Sequence, residues 1–364
     1  MSVLSHIVTF PKALGTGIII AVDQLPAQDF HDVIAEMIEK FEIELSRFRD
    51  DSTVSAMAHA KHGGTFDFSA TLTSIFEIYD ALYSATAGAI DPLVGADLVR
   101  LGYGPDLSFQ MQPDALAHNG AAHGRPCWAE AVERDGSMLR THRAVQLDFG
   151  AVGKGFIVDV IADQIADQCG PQASYVIDAC GDLRIHTSQP QSIALEDPLD
   201  TTRAVGTASV SDASFCASAP SRRHWFVKDP NYTNAIKDSN TSKESANESH
   251  RSSAAQSIEQ SIDQSIAKDS HLLLMHHLLN AIDGKPARSI AATWVQVAKE
   301  DNPENVRNHP TAWADGISTA LFVTNPNDLA SRLADEVTFD CAILNAQRQA
   351  STSEHFPGTF FTHE

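Results

Sequence analysis

Basic residues are scarce in this chain. Lysine and arginine number 26 against 47 aspartates and glutamates, a formal net charge of -21. So acidic a surface excludes nucleic acid as a partner, because binding a phosphate backbone needs clustered positive charge. Cysteine is sparse too. Cys127, Cys169, Cys180, Cys216 and Cys341 make an odd set of five with no Cys-x-x-Cys spacing. That argues against a disulfide framework or a zinc site, and for reduced thiols in a cytoplasm-like compartment. Long apolar runs are missing. Ile18 to Val22 is far too short to span a bilayer. Met1 to Pro11 has neither a Lys/Arg-rich start nor a long apolar run. No export signal, lipoprotein cysteine or integral membrane segment is therefore expected, and the localisation read from the chain is cytoplasmic.

What is present suffices for a large core: 364 residues, 43% of them hydrophobic. Thr16 to Val22 reads as a buried strand. Phe30, Val33, Ile34, Met37, Ile38 and Phe41 follow the helical period and predict a helix from about Phe30 to Leu45. A second helix is predicted over Thr71 to Thr86, stopped by Gly88. Residues 104 to 126 are rich in Gly, Pro, Asn and His and read as a surface loop. Later strands are expected near Ser174 to Ile177, Ser192 to Leu195, Ala204 to Val210 and Trp294 to Val297. A helix is expected over Ala314 to Val323, a shorter one over Asn327 to Leu333, and a last strand over Val337 to Leu344. This mixture lacks the strict βαβ repetition of a doubly wound sheet. Residues 229 to 270 stand apart, with ten serines and almost no aromatics. They read as a solvated, poorly ordered, low-complexity insertion, in which Ile258, Ile262 and Ile266 allow a transient helix.

Residues Leu147 to Asp159 carry the strongest local signal: Leu-Asp-Phe-Gly-Ala-Val-Gly-Lys-Gly-Phe-Ile-Val-Asp. An apolar run, a glycine-rich turn and a helix expected from Phe156 to about Gln168 make a natural anion cradle. Lys154 adds a point charge. The stretch is neither a Walker A loop nor a Gly-x-Gly-x-x-Gly turn. An ordinary connection, with glycine serving only positive φ, stays open at this point.

Asp315 and Thr319 lie four residues apart on a predicted helix, so both oxygens face one way. Asp and hydroxyl oxygens with a main-chain carbonyl suit a hard cation such as Mg²⁺. The alternative is a helix-start Asp favoured by the dipole, with Thr319 in the core. His276 and His277 precede the turn at Asp283-Gly-Lys-Pro286, either as packed side chains or as a catalytic base. Asp91 after Gly88-Ala-Ile90 caps the next turn or serves a ligand.

Taken in order, these pieces resemble the ApbE family, the FAD:protein FMN transferases. The resemblance rests on Ser46-Arg-Phe-Arg-x-x-Ser52, Gly88-Ala-Ile-Asp-Pro92, Leu147 to Gly155 with Asp159, and Gly181-Asp182. It continues through Glu196-Asp-Pro198, His276-His-Leu278 with Asp283-Gly-Lys-Pro286, and Ala314-Asp-Gly-Ile-Ser-Thr-Ala-Leu321. It implies a single α+β, T-fold-like domain over residues 1–364, with antiparallel sheets, packed helices and an FAD cleft. By the same resemblance, FAD contacts are expected at Leu14, Phe48, Ala89, Ile90, Asp91, Gly150, Lys154, Phe156 and Leu278. Mg²⁺ is expected on Gly153, through its carbonyl, with Asp315 and Thr319. His277 is expected to activate the acceptor.

The implied reaction is Mg²⁺-dependent transfer of FMN from FAD to a Thr or Ser hydroxyl of an acceptor protein, releasing AMP. Two rivals use the same site: an FAD pyrophosphatase with water as acceptor, and a flavin-binding protein without catalysis. The last rests on departures from the family pattern. Ala217-Ser218-Ala219 stands where Thr-Ser-Gly is usual, and Asn280 to Gly284 where Asp-Pro-x-Thr-Gly is usual.

Overall fold

A computed structural model of the chain describes residues 4–24, 28–229, 272–299 and 302–362. The expected α+β architecture is present. The strand predicted from the isoleucine run, Ile18–Val22, pairs antiparallel with His6–Phe10 on one side and Tyr175–Asp178 on the other. The sheet continues through Asp182–His186, Ala213–Ser218, Ile290–Ala298, Asp340–Asn345 and Ala350–Thr352, giving eight strands, every pair antiparallel.

Alternation along these strands builds two cores, because successive side chains point to opposite faces. Cys216, Val295, Val297, Cys341 and Ile343 face the helices. Phe215, Trp294, Ala342 and Leu344 face a three-stranded sheet of Gln191–Asp197, Asp200–Val210 and Gly358–Phe360. The layers are thus helices, large sheet, small sheet.

Four long helices matter here: α1 (Phe30–Leu45), α2 (Thr73–Ala85), α3 (Gly153–Cys169) and α4 (Pro310–Ala320). α1 has the predicted bounds. α3 starts three residues before the expected Phe156, so Gly153 and Lys154 belong to its first turn. α4 begins four residues before the expected Ala314, at Pro310, and ends at Ala320. Proline at a helix start fits, since its missing N–H would be unpaired there anyway. Asp315 is consequently mid-helix, which removes the helix-start reading of that residue.

α3 and α4 meet almost backbone to backbone. A Cβ on Gly155 would lie 2.2 Å from the Thr311 carbonyl oxygen, so only glycine permits the approach.

Two further expectations are corrected. Residues 104 to 126 are not merely a surface loop. They include the short helices Ala115–His118 and Ala121–His123, and Asn119 and Arg125 are buried. The strand Asp340–Asn345 does not end the fold, since two more follow. The serine-rich segment and its spaced isoleucines lie outside the described residues, apart from Asp229.

Candidate functional site

Lys154 is the centre of the site. It sits on the first turn of α3 beside two strands and α4. Its ammonium donates to Asp182 Oδ2 and lies 3.4 Å from Asp315 Oδ1. The two carboxylates are almost fully buried, with side-chain exposures of 1% and 2%. Burial pushes both carboxyls up from the ordinary range, and for Asp315 the nearby Asp182 charge adds to it. Burial also works against the Lys154 charge, but Asp182 and Asp315 outweigh it and hold the amine protonated. Asp182 belongs to the Gly181-Asp182 pair, yet nothing local in the sequence joins it to Lys154.

The loop's backbone is largely occupied by the protein itself. Gly150, exposed, donates its N–H to Asp148 Oδ1 at 2.8 Å; Gly153 donates to the Phe149 carbonyl at 2.8 Å. The Gly155 N–H reaches Asp315 Oδ2 at 3.0 Å. An acidic side chain from α4 therefore stands where the anion-cradle reading puts a phosphate.

Thr319 lies one turn beyond Asp315 and is half-buried, not in the core. Its hydroxyl is 3.5 Å from Ser218 Oγ, which is itself 2.7 Å from Ser318 Oγ. The retained serine of Ala217-Ser218-Ala219 thus touches the α4 hydroxyls. Among the described residues no three His, Cys, Asp or Glu side chains converge as a metal cluster. A hard cation would need the mixed oxygen set expected at Gly153, Asp315 and Thr319. The charge balance fits such an ion: two buried carboxylates face one ammonium, and Asp182 Oδ1 is buried without a hydrogen-bond partner.

The paired histidines divide their work. His276 is buried, with Nε2 donating to the Ala287 carbonyl at 2.9 Å and Nδ1 accepting from Leu278 N at 3.2 Å. Both nitrogens are spent, so it is a packed side chain. His277 is half-buried, and its Nδ1–H donates to the Arg223 carbonyl at 3.3 Å. That bond fixes the tautomer and leaves Nε2 as an acceptor. Burial lowers its pKa to about 4, so the ring is neutral near pH 7; the charges of Lys154 and Asp148 both act on it.

Arg223 connects this histidine to an aromatic wall. Its guanidinium donates to the Tyr103 hydroxyl at 2.9 Å and to the Gly15 carbonyl at 3.1 Å, next to Leu14. Leu14 adopts φ 53° and donates its N–H to Glu42 at 2.7 Å. Tyr103 stacks on Trp225 at 5.5 Å and meets the edge of Phe48 at 5.4 Å. Arg47 lies over both Phe48 and Tyr103, and its Nε binds Asp148 at 2.5 Å. Its Nη2 is buried and unpaired. Phe48 remains 42% exposed, available to a planar ligand. Tyr103, Trp225 and Arg223 escaped the sequence reading because they come from segments with no motif of their own.

The other expected FAD contacts lie deeper. Ala89, Ile90 and Asp91 are all buried. Asp91 accepts from Leu93 N at 2.8 Å and from Arg125 at 3.1 Å, so its carboxylate is already occupied. Arg125 also binds Asp97 at 2.8 Å and the Ala281 carbonyl at 2.6 Å, pinning the 280–284 turn against this segment. Leu278 is buried. Phe156 stacks on His309 at 4.8 Å and on Phe41 at 6.1 Å within the helix layer. The structure thus groups Lys154, Asp315 and Thr319 through Asp182 and Ser218, and His277 with Phe48 and the Leu14 turn through Arg223 and Tyr103; the charge of Lys154 acting on His277 links the two groups. Phe156 and the Asp91 carboxylate have other partners. A surface cavity of about 460 Å³ behind the 280–286 turn holds none of Lys154, Asp182, Asp315 or His277.

This constellation of lysine, carboxylates, hydroxyls and histidine can be set beside known proteins. A family model described as the ApbE family matches residues 14–260. The chain belongs to the ApbE family. It is 25% identical over 179 residues to the FAD:protein FMN transferase of Haemophilus influenzae, covering 47% of this chain and 51% of that protein. To the FAD:protein FMN transferase of Vibrio cholerae it is 24% identical over 217 residues, covering 58% and 63%. The chain therefore matches half to less than two thirds of these relatives' length. In three dimensions the likeness is wider. The ApbE protein of Thermotoga maritima superposes with a TM-score of 0.67 at 18% identity, over 96% of this chain and 97% of that one. The flavin transferase ApbE of Vibrio cholerae gives 0.66 at 18% identity, over 96% and 97%. At that identity the superpositions speak for the fold of this ApbE-family chain. No described helix is long and apolar enough to cross a membrane.

Proposed function

We propose that this chain transfers FMN from FAD to a Thr or Ser hydroxyl of an acceptor protein, with AMP leaving. The observation that carries the reading is Lys154 beside the buried Asp315, with the lysine's charge acting on a neutral His277 from a third distant segment. His277 Nε2 takes the proton of the acceptor hydroxyl, while the Nδ1–H bond to Arg223 holds the ring in the tautomer that can do so. The hydroxyl oxygen attacks the FMN phosphorus and the bond to AMP breaks. Lys154 provides positive charge beside the phosphates. Phe48 and Tyr103, with Arg47 above them, offer a stacking surface, and the unpaired Arg47 Nη2 a donor, for a planar ring system. Asp315, Thr319 and the Gly153 carbonyl would hold Mg²⁺, which supplies compensation for charge growing on the pyrophosphate.

Water in place of the hydroxyl turns the same site into an FAD pyrophosphatase. The test is co-expression followed by mass spectrometry for FMN bound covalently to Thr or Ser of another protein. The adduct is expected with the native chain and absent with His277→Asn. FMN and AMP formed from FAD without any adduct would favour hydrolysis. Tight FAD binding with no product would refute both.

A further inference from the structure

We propose that Asp182 and Asp315 form a cation-exchange site whose resident ion is the chain's own Lys154 ammonium, displaced when a divalent cation enters. The proposal rests on the metal part of the function above. Two nearly inaccessible carboxylates share one ammonium, so with both ionised the group lacks one positive charge. The deficit has an address: Asp182 Oδ1 is buried and accepts no hydrogen bond. The Cys216 thiol beside this carboxyl favours its ionised form, but its own hydrogen bond goes to the Thr311 carbonyl at 3.6 Å. Asp315 is held by the Gly155 N–H through one oxygen, leaving Oδ1 to the lysine alone at 3.4 Å.

A lysine suits the part of a removable ion. Its ammonium is a point charge on a flexible four-carbon stem, and this one keeps 30% of its side chain exposed, so it has a way out. A dication held by Asp315, Thr319 and the Gly153 carbonyl, with Asp182 beside it, would balance both carboxylates, which a single ammonium does not. Once it is bound, the ammonium is repelled and turns to the open side, where a phosphate can receive it. The empty site is thereby kept from holding two bare buried charges, and metal entry frees the lysine for substrate.

The test compares Mn²⁺ binding by the intact protein and Lys154→Met, without FAD, by electron paramagnetic resonance of free Mn²⁺. The variant is expected to bind at least tenfold more tightly, because nothing competes for the carboxylates. Equal or weaker binding overturns the exchange. Should Lys154→Met fail to fold, the native protein decides. Reductive methylation of Lys154, read by peptide mass spectrometry, is expected to rise several-fold on Mg²⁺ saturation. An unchanged or lower yield overturns the proposal. Equal Mn²⁺ affinities, with the native protein turning over FAD with Mg²⁺, sink the exchange alone. A native protein with neither Mn²⁺ binding nor FAD turnover sinks the function as well.

Discussion

Asp159 and Asp315 each cap the helix that carries the other. Asp159, on α3, accepts the N–H groups of Thr311 and Ala312 at 2.9 Å each, in the first turn of α4. Asp315, on α4, accepts the Gly155 N–H at 3.0 Å, in the first turn of α3. Helix starts leave N–H groups without internal partners, and neither helix has a local side-chain cap. The exchange fixes α3 and α4 antiparallel, and with them the relative positions of Lys154 and Asp315.

Asp159→Ala leaves the buried N–H groups of Thr311 and Ala312 unpaired. The expected cost is roughly 2–3 kcal/mol of stability, from the lost cap and the desolvated donors. Urea unfolding measures it. A change below about 0.5 kcal/mol, the range of ordinary surface substitutions, would show that the cap is dispensable.

Asp315 caps α3 and, in the proposed function, also holds the metal, so its alanine variant would confound the two. Asp315→Asn keeps an oxygen for Gly155 while removing the charge. We expect near-native melting and FAD turnover lowered by at least about 100-fold, the scale of a lost electrostatic contact at a reacting centre. Unchanged turnover refutes the assignment of this residue to the site.

The His276 pKa is lowered to about 4, mainly by burial. Its unfolded value is near 6.5. The unfolded state therefore binds the proton first, so the stability contribution is present above pH 6.5 and is lost as pH falls toward 4. Full loss amounts to about 3 kcal/mol. Asp159, pushed up to about 7 by burial, acts in the opposite sense, its contribution fading as pH rises. The informative quantity is thus the difference between native protein and His276→Gln, which should show a flatter fall in melting temperature from pH 6.5 to 4. Parallel curves would contradict the account.

The ribbon strands His224–Lys228 and Leu272–His276 place Lys228 opposite Leu272. The serine-rich segment therefore leaves and re-enters at one point, and removing residues 235 to 268 asks little of the chain elsewhere. A cooperative melting transition and FAD binding are expected to survive. Loss of cooperative melting, followed by circular dichroism, would make the segment part of the fold.

Much of the fold is legible locally. The spacing of Phe30, Ile34, Ile38 and their neighbours marks α1, and the isoleucine run marks a strand inside the large sheet. Helix starts are less legible, because α3 and α4 are begun by aspartates far away in sequence rather than by neighbouring caps. Arg125 shows the same limit. A loop rich in glycine and histidine reads as surface, yet it delivers a guanidinium that bridges the buried Asp91 and Asp97.

The sequence by itself determined the motif order that places this chain in the ApbE family, and it named Lys154, Asp315, Thr319 and His277. These rest on residue identity and on periodicity, which are local properties. Only the tertiary structure decided what those residues face. It set Lys154 between Asp182 and Asp315, spent the N–H groups of Gly150, Gly153 and Gly155 on protein acceptors, and spent His276 while leaving one nitrogen of His277 free. The reason is physical: a buried charge or N–H takes the partner that packing brings within 3 Å or so, and packing joins segments more than a hundred residues apart.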